Sequence, residues 1–217
     1  MTFKGIIFDL DGTLADTLDD IAGSMNRVLL AHGYPVHPVN DYKLLVGRGL
    51  DNLVSQSLPD ISRQPALVSK CLAEMIRDYT NHCLVNTHLY EGITGLLGEL
   101  TLRGFKLAVF SNKAEPLTQK IVSQLIGDIQ FERVMGARPD FPKKPDPAGA
   151  LFISEQMGIS PQNLIYLGDS DVDMIMATRA GMFAMGVLWG FRTAGELIAN
   201  GARKLLNHPL EMLDFIA

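Results

Sequence analysis

Three short apolar runs of the sequence each end in a cluster of polar residues, and this pattern constrains the fold more than any other feature. The runs at 5–8, 106–110 and 164–167 are rich in β-branched and aromatic residues, which predicts buried strands. A fourth run, 183–187, leads into Leu-Trp-Gly. Because ligands of parallel sheets bind at the carboxyl ends of the strands, the polar clusters mark the predicted functional edge.

Helix-like segments alternate with these strands through most of the chain, and weaker strands are expected near 131–135 and 203–206. The predicted helices cover 92–103, 115–126, 147–157, 171–181, 193–200 and 209–216. Alternating strands and helices favour an α/β fold with a doubly wound, Rossmann-like parallel sheet.

The alternation is broken between about residues 16 and 86, where helical patterns at 21–32 and 66–83 are joined by Gly and Pro and no strand is evident. An all-helical insert directly after the first strand is well placed to cover the end of that strand as a lid. We therefore expect a core of 1–15 and 87–217 and a small helical cap of 16–86.

Composition excludes several classes of protein. With 47% hydrophobic and 20% charged residues in 217, the chain has enough apolar surface to fold, which excludes intrinsic disorder. The net charge of −5 disfavours nucleic acid or an anionic membrane as a partner. Neither a signal peptide nor a bilayer-spanning apolar run of ~18–20 residues is evident.

The two cysteines, Cys71 and Cys83, fall in one helix-like stretch. If the helix is continuous they lie ~18 Å apart, too far for a disulfide bond. Free buried thiols are typical of a reducing compartment, so we expect a cytoplasmic protein.

The first polar cluster is Asp9-Leu-Asp11-Gly12-Thr13. Two carboxylates at the end of a buried strand are costly unless a cation or a proton neutralises them. Gly12 and Thr13 suit a sharp turn whose N–H groups could hold a phosphate. An ordinary Asp-Gly turn with a helix cap is the simpler alternative for this segment alone.

A second cluster, Gly168-Asp169-Ser170-Asp171-Val172-Asp173, has more acids than helix capping requires. Together with Asp9 these carboxylates would form a site of hard oxygen ligands suited to Mg²⁺.

Two further polar segments offer hydrogen-bond donors and cations. Ser111-Asn112-Lys113 follows the second strand, and Lys144 precedes Pro-Asp-Pro, which holds it in an extended turn ahead of a helix. Taken alone, Lys144 reads as a solvated surface lysine.

In this order and at these strand ends, the motifs resemble those of the haloacid dehalogenase superfamily of phosphohydrolases. Asp9-Leu-Asp-Gly-Thr matches the first motif of the family, Ser111 the second, Lys144-Pro-Asp-Pro the third and Gly168-Asp-x-x-x-Asp173 the fourth. The resemblance covers the whole chain, including the cap. Within the family it is strongest to phosphoglycolate-phosphatase-like members, through Leu14-Ala-Asp-Thr, Val46-Gly-Arg-Gly49 and Pro209-Leu-Glu-Met-Leu.

The resemblance implies a Mg²⁺-dependent phosphatase that forms an aspartyl-phosphate and acts on a small phosphorylated metabolite. Asp9 would be the nucleophile and Asp11 the general acid and base. The metal ligands implied are Asp9, the backbone carbonyl of Asp11, Asp169 and Asp173. The implied phosphate-binding residues are Ser111, Asn112 and Lys144.

The resemblance also orders the alternatives. Asp11 favours a phosphatase over a dehalogenase, because a halide leaving group needs no proton, and the cap lacks the lysine motif of the phosphonatases. A sugar-phosphate mutase using the same Asp9 and Asp11 stays open. A phospho-accepting regulatory module is less favoured, since it needs neither a lid nor a leaving-group acid.

The cap supplies one candidate for substrate recognition. Arg48, between Gly47 and Gly49, would face the core site on closure and could bind a substrate carboxylate, although an exposed arginine in a turn is an equal alternative. Trp189 and Phe191 are expected to serve in packing, and the histidines show no metal-ligand spacing. Either a monomer or a homodimer is compatible with the sequence.

Overall fold

A six-stranded parallel sheet forms the centre of the protein in a computed structural model that describes residues 2–217. Its strands are β1 (Gly5–Phe8), β4 (Lys106–Ala114), β5 (Arg133–Ala137), β6 (Leu164–Gly168), β7 (Phe183–Val187) and β8 (Lys204–Leu206). The spatial order is β5-β4-β1-β6-β7-β8. The predicted α/β fold class is therefore confirmed, and β1 lies between β4 and β6, the strands that carry the other polar clusters.

Helices cover the sheet, and both of its faces are buried. The core helices are α4 (Ile93–Leu102), α5 (Glu115–Leu125), α6 (Ala148–Met157), α7 (Asp171–Arg179), α8 (Ala194–Ala199) and α9 (Glu211–Phe215). Ile6 and Phe8 belong to one hydrophobic cluster, whereas Ile7 between them belongs to another. This alternation explains why β1 reads as a continuous apolar run, as buried parallel strands do.

The segment between β1 and β4 is mainly helical, as predicted. It contains α1 (Leu18–Ala31), α2 (Leu50–Ser57) and α3 (Pro65–His82), with a 3₁₀ helix at Val39–Leu44 and another at Asp60–Ser62. Cys71 lies in α3 and Cys83 directly follows it, and both are buried free thiols.

A short antiparallel strand pair that the sequence analysis did not predict joins the ends of this segment. β2 (Ala15–Asp16) pairs with β3 (His88–Leu89), so Ala15 lies opposite Leu89. Two-residue strands are too short to show a period-two pattern. β2 lies across the expected border between 15 and 16, and β3 begins two residues after the expected border at 86. We retain the division into cap and core as a proposal.

β4 also continues beyond its predicted end at 110. The strand runs to Ala114, with an irregularity in its pairing with β5 between Phe110 and Ala114. Ser111, Asn112 and Lys113 therefore leave the sheet in extended conformation at its functional edge. Among the helices of the described residues, none has the length and apolar character needed to cross a bilayer.

Candidate active site

The carboxyl ends of β1, β4 and β6 bring the predicted motifs together. Asp9 directly follows β1, Asp169 directly follows β6, and Ser111 lies near the end of β4. All three residues are buried. Because these strands are neighbours in the sheet, motifs that are 156 or more residues apart in the chain, such as Thr13 and Asp169, come within hydrogen-bonding range.

Three carboxylates form a compact buried cluster. Asp9, Asp169 and Asp173 each place one oxygen within 4.8 Å of the others. Asp173 lies in the first turn of α7, where its Oδ2 accepts a hydrogen bond from the backbone N–H of Ser170 at 3.1 Å. Burial raises the pKa of Asp9 to about 7, and the carboxylates of Asp173 and Asp11 add to that rise while Lys144 opposes it. Burial likewise raises the pKa of Asp169 well above its usual value.

The ammonium of Lys144 lies inside this cluster. Its Nζ is 2.9 Å from Oδ1 of Asp9, 2.7 Å from Oδ1 of Asp173 and 2.9 Å from the hydroxyl oxygen of Tyr166. Burial by itself lowers the pKa of this lysine, but Asp173 and Asp9 together hold the pKa above its usual value. The surface interpretation of Lys144 is excluded, since its side chain is 1% exposed.

The residues present fit Mg²⁺. The cluster offers only oxygen ligands, which this cation prefers. The buried Oδ1 of Asp9 is held by the ion pair with Lys144 at 2.9 Å and makes no further hydrogen bond among the described residues. One ammonium faces three buried carboxylates, and a divalent cation would remove the remaining cost of burying them.

Asp11 directs its side chain away from the acidic cluster. The ammonium of Lys113 donates to its Oδ1 at 2.7 Å and to its Oδ2 at 3.0 Å, and the hydroxyl of Thr17 donates to Oδ1 at 2.7 Å. The Lys113 side chain is 2% exposed and also lies 4.7 Å from the ring centre of Tyr79, a residue of α3. From the sequence, Lys113 is a cation near the second strand but is not among the predicted site residues. Its position directly after a predicted strand end was the available signal.

The side chains of Ser111 and Asn112 make different contacts. Ser111 lines the cavity, and its Oγ accepts a hydrogen bond from the backbone N–H of Lys113 at 3.2 Å. The amide of Asn112 contacts the Lys144 backbone N–H at 2.8 Å, the Lys144 carbonyl at 3.0 Å and the Gly47 carbonyl at 2.9 Å. The amide is thus engaged with backbone, where it positions Lys144, and its expected contact with phosphate stays a prediction.

A cavity lies over these residues, between the core and the helical segment. It is lined by Asp9, Asp11, Ile21, Val46, Gly47, Gly49, Leu50, Leu53, Ser111, Asn112 and Lys113. The space open to the centres of water molecules is about 30 Å³, which has room for about two waters.

Arg48 does not line this cavity, and its expected role in binding a substrate carboxylate on closure stays a prediction. Its guanidinium instead forms an ion pair with Asp171 at the start of α7, and about half of the side chain is exposed. Gly47 and Gly49 on either side of it do line the cavity. Positive φ angles of 113° and 93° at these glycines turn the intervening side chain outward.

The segment 189–191 supports Asp169, a role beyond the packing expected for Trp189 and Phe191. The backbone N–H of Phe191 donates to Oδ2 of Asp169 at 2.8 Å, and the indole N–H of Trp189 donates to the carbonyl of Thr13 at 3.0 Å. A Cβ atom on Gly190 would lie 2.4 Å from Cβ of Asp169. The glycine in Trp-Gly-Phe, just after a strand, was the signal for this close approach.

Comparison with known families gives one match over most of the chain. Residues 6–187 match the model of the haloacid dehalogenase-like hydrolases. The matched range includes all four motifs and the helical segment between the first two.

Relatives of the chain are similar to it over most of their length. The chain is 32% identical over 206 residues to a phosphoglycolate phosphatase of Vibrio cholerae, covering 92% of this chain and 90% of that protein. It is 34% identical to a phosphoglycolate phosphatase of Aquifex aeolicus, with 86% and 85% covered. An N-acetylmuramic acid 6-phosphate phosphatase of Pseudomonas aeruginosa is 30% identical, with 100% and 96% covered.

A solved structure is similar over the full length as well. A Lactobacillus delbrueckii subsp. bulgaricus protein, provisionally assigned as a phosphoglycolate phosphatase, superposes with a TM-score of 0.93 at 26% identity. The match covers 100% of this chain and 99% of that one.

Proposed function

The chain belongs to the haloacid dehalogenase-like hydrolases, and on that premise we propose that it is a Mg²⁺-dependent phosphatase of small phosphomonoesters that works through an aspartyl-phosphate on Asp9. The main support for the proposal is that two carboxylates, those of Asp9 and Asp11, lie at the same cavity but contact different lysines. Asp9 lies in the acidic cluster with Lys144, and Asp11 lies apart from it with Lys113.

Asp9, Asp169 and Asp173 are the side chains that would hold Mg²⁺, together with the backbone carbonyl of Asp11. Bound there, the cation would neutralise charge on the carboxylates and on the phosphoryl oxygens. Phe191 and Gly190 support this assignment, because they fix Asp169 at Oδ2, while Oδ1 accepts a long hydrogen bond of 3.4 Å from Thr13 and faces the site.

In the first step a carboxylate oxygen of Asp9 attacks phosphorus and forms an acyl-phosphate bond. The bond from phosphorus to the ester oxygen breaks, and Asp11 gives a proton to that leaving oxygen. Ser111 contributes a hydroxyl and Lys144 an ammonium to the phosphoryl oxygens. The separation of the two carboxylates supports these roles, since only Asp9 shares the cluster with Lys144.

In the second step a water attacks phosphorus, Asp11 takes a proton from that water, and the bond between phosphorus and the Asp9 oxygen breaks. Phosphate leaves and both carboxyl groups return to their initial states. The contacts of Asp11 with Lys113 and Thr17 are those of a carboxylate. The acid form therefore requires exchange of a Lys113 hydrogen bond when substrate binds.

The cap wall of the cavity is mostly apolar. It is built from Ile21, Val46, Leu50, Leu53 and the backbone at Gly47 and Gly49. The similarity to two phosphoglycolate phosphatases supports 2-phosphoglycolate, a two-carbon phosphomonoester, as the substrate rather than a sugar phosphate. Lys113 is the one basic residue in the lining among the residues that the structure describes, and it could contact a substrate carboxylate.

A substrate panel tests the proposal. Phosphate release from 2-phosphoglycolate, N-acetylmuramic acid 6-phosphate and glucose 6-phosphate is measured with Mg²⁺ and with excess EDTA. We expect the highest kcat/KM for 2-phosphoglycolate and no turnover in EDTA. A preference for either sugar phosphate would reject the small-substrate assignment, and undiminished turnover in EDTA would reject the metal assignment.

A further inference from the structure

The wall of the cavity on the cap side is a loop whose own backbone hydrogen bonding is incomplete. The 3₁₀ helix Val39–Leu44 ends just before it, and Val46, Gly47 and Gly49 of the loop line the cavity. The carbonyl groups of a terminating helix have no partner within the helix and need donors from elsewhere. The position of this wall therefore depends on what supplies those donors.

Arg192 of the core supplies them. Its Nη2 donates to the carbonyl of Val46 at 2.9 Å and to that of Leu44 at 3.4 Å, and its Nη1 donates to the carbonyl of Lys43. The side chain is 6% exposed, and its Nε lies 3.3 Å from the carboxylate of Glu196. A guanidinium presents several donors in one fixed plane, which suits it to bind several carbonyls at once.

The other cap-to-core contacts near the cavity are weaker or less direct. Lys143 pairs with Asp51 and Arg48 pairs with Asp171, but these pairs are largely exposed. Exposed ion pairs contribute little, because water and salt screen them. Asn112 reaches the carbonyl of Gly47 at 2.9 Å, although it also has to hold the backbone of Lys144.

We propose that Arg192 is a positioning residue that holds residues 43–47, where the 3₁₀ helix ends and the loop begins, against the core and so determines how completely the cavity closes over a bound substrate. Arg192 does not line the cavity and makes its contribution through the loop. Its location directly after Phe191, which binds Asp169, gives it a rigid base on the side of the acidic cluster.

This inference rests on the proposed phosphatase function, and it makes a prediction about two kinds of substrate. We expect hydrolysis of 2-phosphoglycolate, which has a poor leaving group and few atoms besides the phosphoryl group, to depend on contact with this wall. Hydrolysis of p-nitrophenyl phosphate, an activated ester with a good leaving group, should depend on that contact less. In Arg192→Ala we expect kcat/KM for 2-phosphoglycolate to fall ~10–100-fold, the size expected for lost charge-assisted hydrogen bonds. For p-nitrophenyl phosphate it should change less than about threefold.

Hydrogen–deuterium exchange measured without substrate provides a readout that does not depend on activity. Arg192→Ala should speed exchange of the amides at 45–49 while those of β6 and β7 keep their protection. Arg192→Lys, which retains one cation, should show a smaller effect in both assays. Lys143→Ala is the matched control: it removes an exposed cation that also bridges cap and core, and it should leave both measurements close to those of the wild type.

Two results would overturn the inference. One is unchanged exchange at 45–49 in both Arg192 variants. The other is an equal loss for both substrates with faster exchange in β6 and β7, which would make Arg192 a general structural residue. If the wild type hydrolyses neither substrate, the proposed function fails, but the exchange experiment still decides whether Arg192 holds the loop.

Discussion

The buried ammonium of Lys113 lies 2.7 Å from one carboxylate oxygen of Asp11 and 3.0 Å from the other. Lys113 belongs to β4 and Asp11 to the turn after β1, so the contact joins two motifs across the edge of the sheet. Thr17, just before α1, donates to the same carboxylate. Through these two donors, the orientation of Asp11 depends on both the core and the entrance to the cap.

Lys113→Met keeps the length of the side chain and removes its charge. We expect kcat/KM to fall roughly 10–100-fold, because the catalytic carboxylate loses the group that orients it. We also expect a loss of stability of about 3–5 kcal/mol, the usual cost of leaving one member of a buried ion pair alone. Phosphate release and urea unfolding measure the two effects.

The double variant Lys113→Met with Asp11→Asn tests whether Lys113 affects activity by orienting Asp11 or by a general effect on the fold. If Lys113 acts through Asp11, adding its substitution to Asp11→Asn should cost little further activity. If the loss of kcat/KM in the double variant equals the product of the two single losses, Lys113 and Asp11 do not act as a unit. Lys120→Met, in which an exposed lysine is changed, is the control and should behave as the wild type does.

The raised pKa of Asp9 predicts how stability depends on pH in metal-free protein. Burial raises that pKa to about 7, above the value of about 3.9 in an unfolded chain. Between these values the folded protein holds a proton that the unfolded chain has lost, so the free energy of unfolding falls as the pH rises. We expect the Tm in EDTA to be lower at about pH 8 than at about pH 5 on this account.

Mg²⁺ should reverse that trend, because a cation can replace the proton. The gain in Tm on adding Mg²⁺ should be larger at about pH 8 than at about pH 5. In Asp9→Asn both the pH trend and the Mg²⁺ gain should shrink. A Mg²⁺ gain that is larger at the acidic pH would contradict this interpretation of the cluster.

Asp20 is expected to be essential to the junction between cap and core. Its buried carboxylate, in the first turn of α1, accepts hydrogen bonds from the backbone N–H groups of Val85, Asn86 and Thr87 at 2.9–3.0 Å. Hydrogen bonds from Asn86 and Thr87 hold the pKa of Asp20 below its usual value, against the effect of burial. The contribution to stability is therefore full above about pH 4 and is lost as the pH falls through the lowered pKa.

Asp20→Asn should destabilise the protein by about 2 kcal/mol or more at neutral pH, since several hydrogen bonds to a charge are weakened together. The difference in free energy of unfolding from the wild type should narrow below about pH 4. Asp19→Asn changes the exposed neighbouring acid and provides the control. A difference that widens on acidification would show that the charge of Asp20 is not what matters.

Gly190→Ala tests the support of Asp169. The new Cβ would lie 2.4 Å from Cβ of Asp169 and 2.4 Å from the carbonyl oxygen of Gly12, so one of these groups has to shift. We expect a weaker apparent Mg²⁺ affinity by about tenfold, the lower end of effects seen when a residue behind a metal ligand is changed. Gly195→Ala places a methyl where nothing lies within 4 Å, and its Mg²⁺ titration should match that of the wild type.

Much of the fold was predictable from the sequence because its signals are local. β1 and β7 have the bounds expected from their apolar runs. Each helix of the core begins and ends within two residues of its predicted bounds. The strand pair β2 and β3 was missed, because two residues carry no period and their pairing is set by the fold around them.

The site could be predicted only to the extent that residues at the ends of neighbouring strands lie close to one another. Asp9, Asp169, Asp173 and Lys144 come together as expected, since their strands are neighbours. The directions in which the side chains point could not be predicted from the positions of the strands. The outward turn of Arg48, the inward turn of Lys113 and the cross-chain contacts of Asn112 and Arg192 depend on backbone angles and partners far away in sequence.

The most direct measurement is acid-quench trapping of the phosphorylated enzyme. Protein is mixed with ³²P-labelled substrate and Mg²⁺, quenched within milliseconds and analysed by peptide mapping with and without hydroxylamine, which cleaves acyl phosphates. We expect a transient, hydroxylamine-sensitive label on the peptide containing Asp9, and no label or turnover in Asp9→Asn. Normal turnover by Asp9→Asn, or a stable label on another residue, would contradict this expectation.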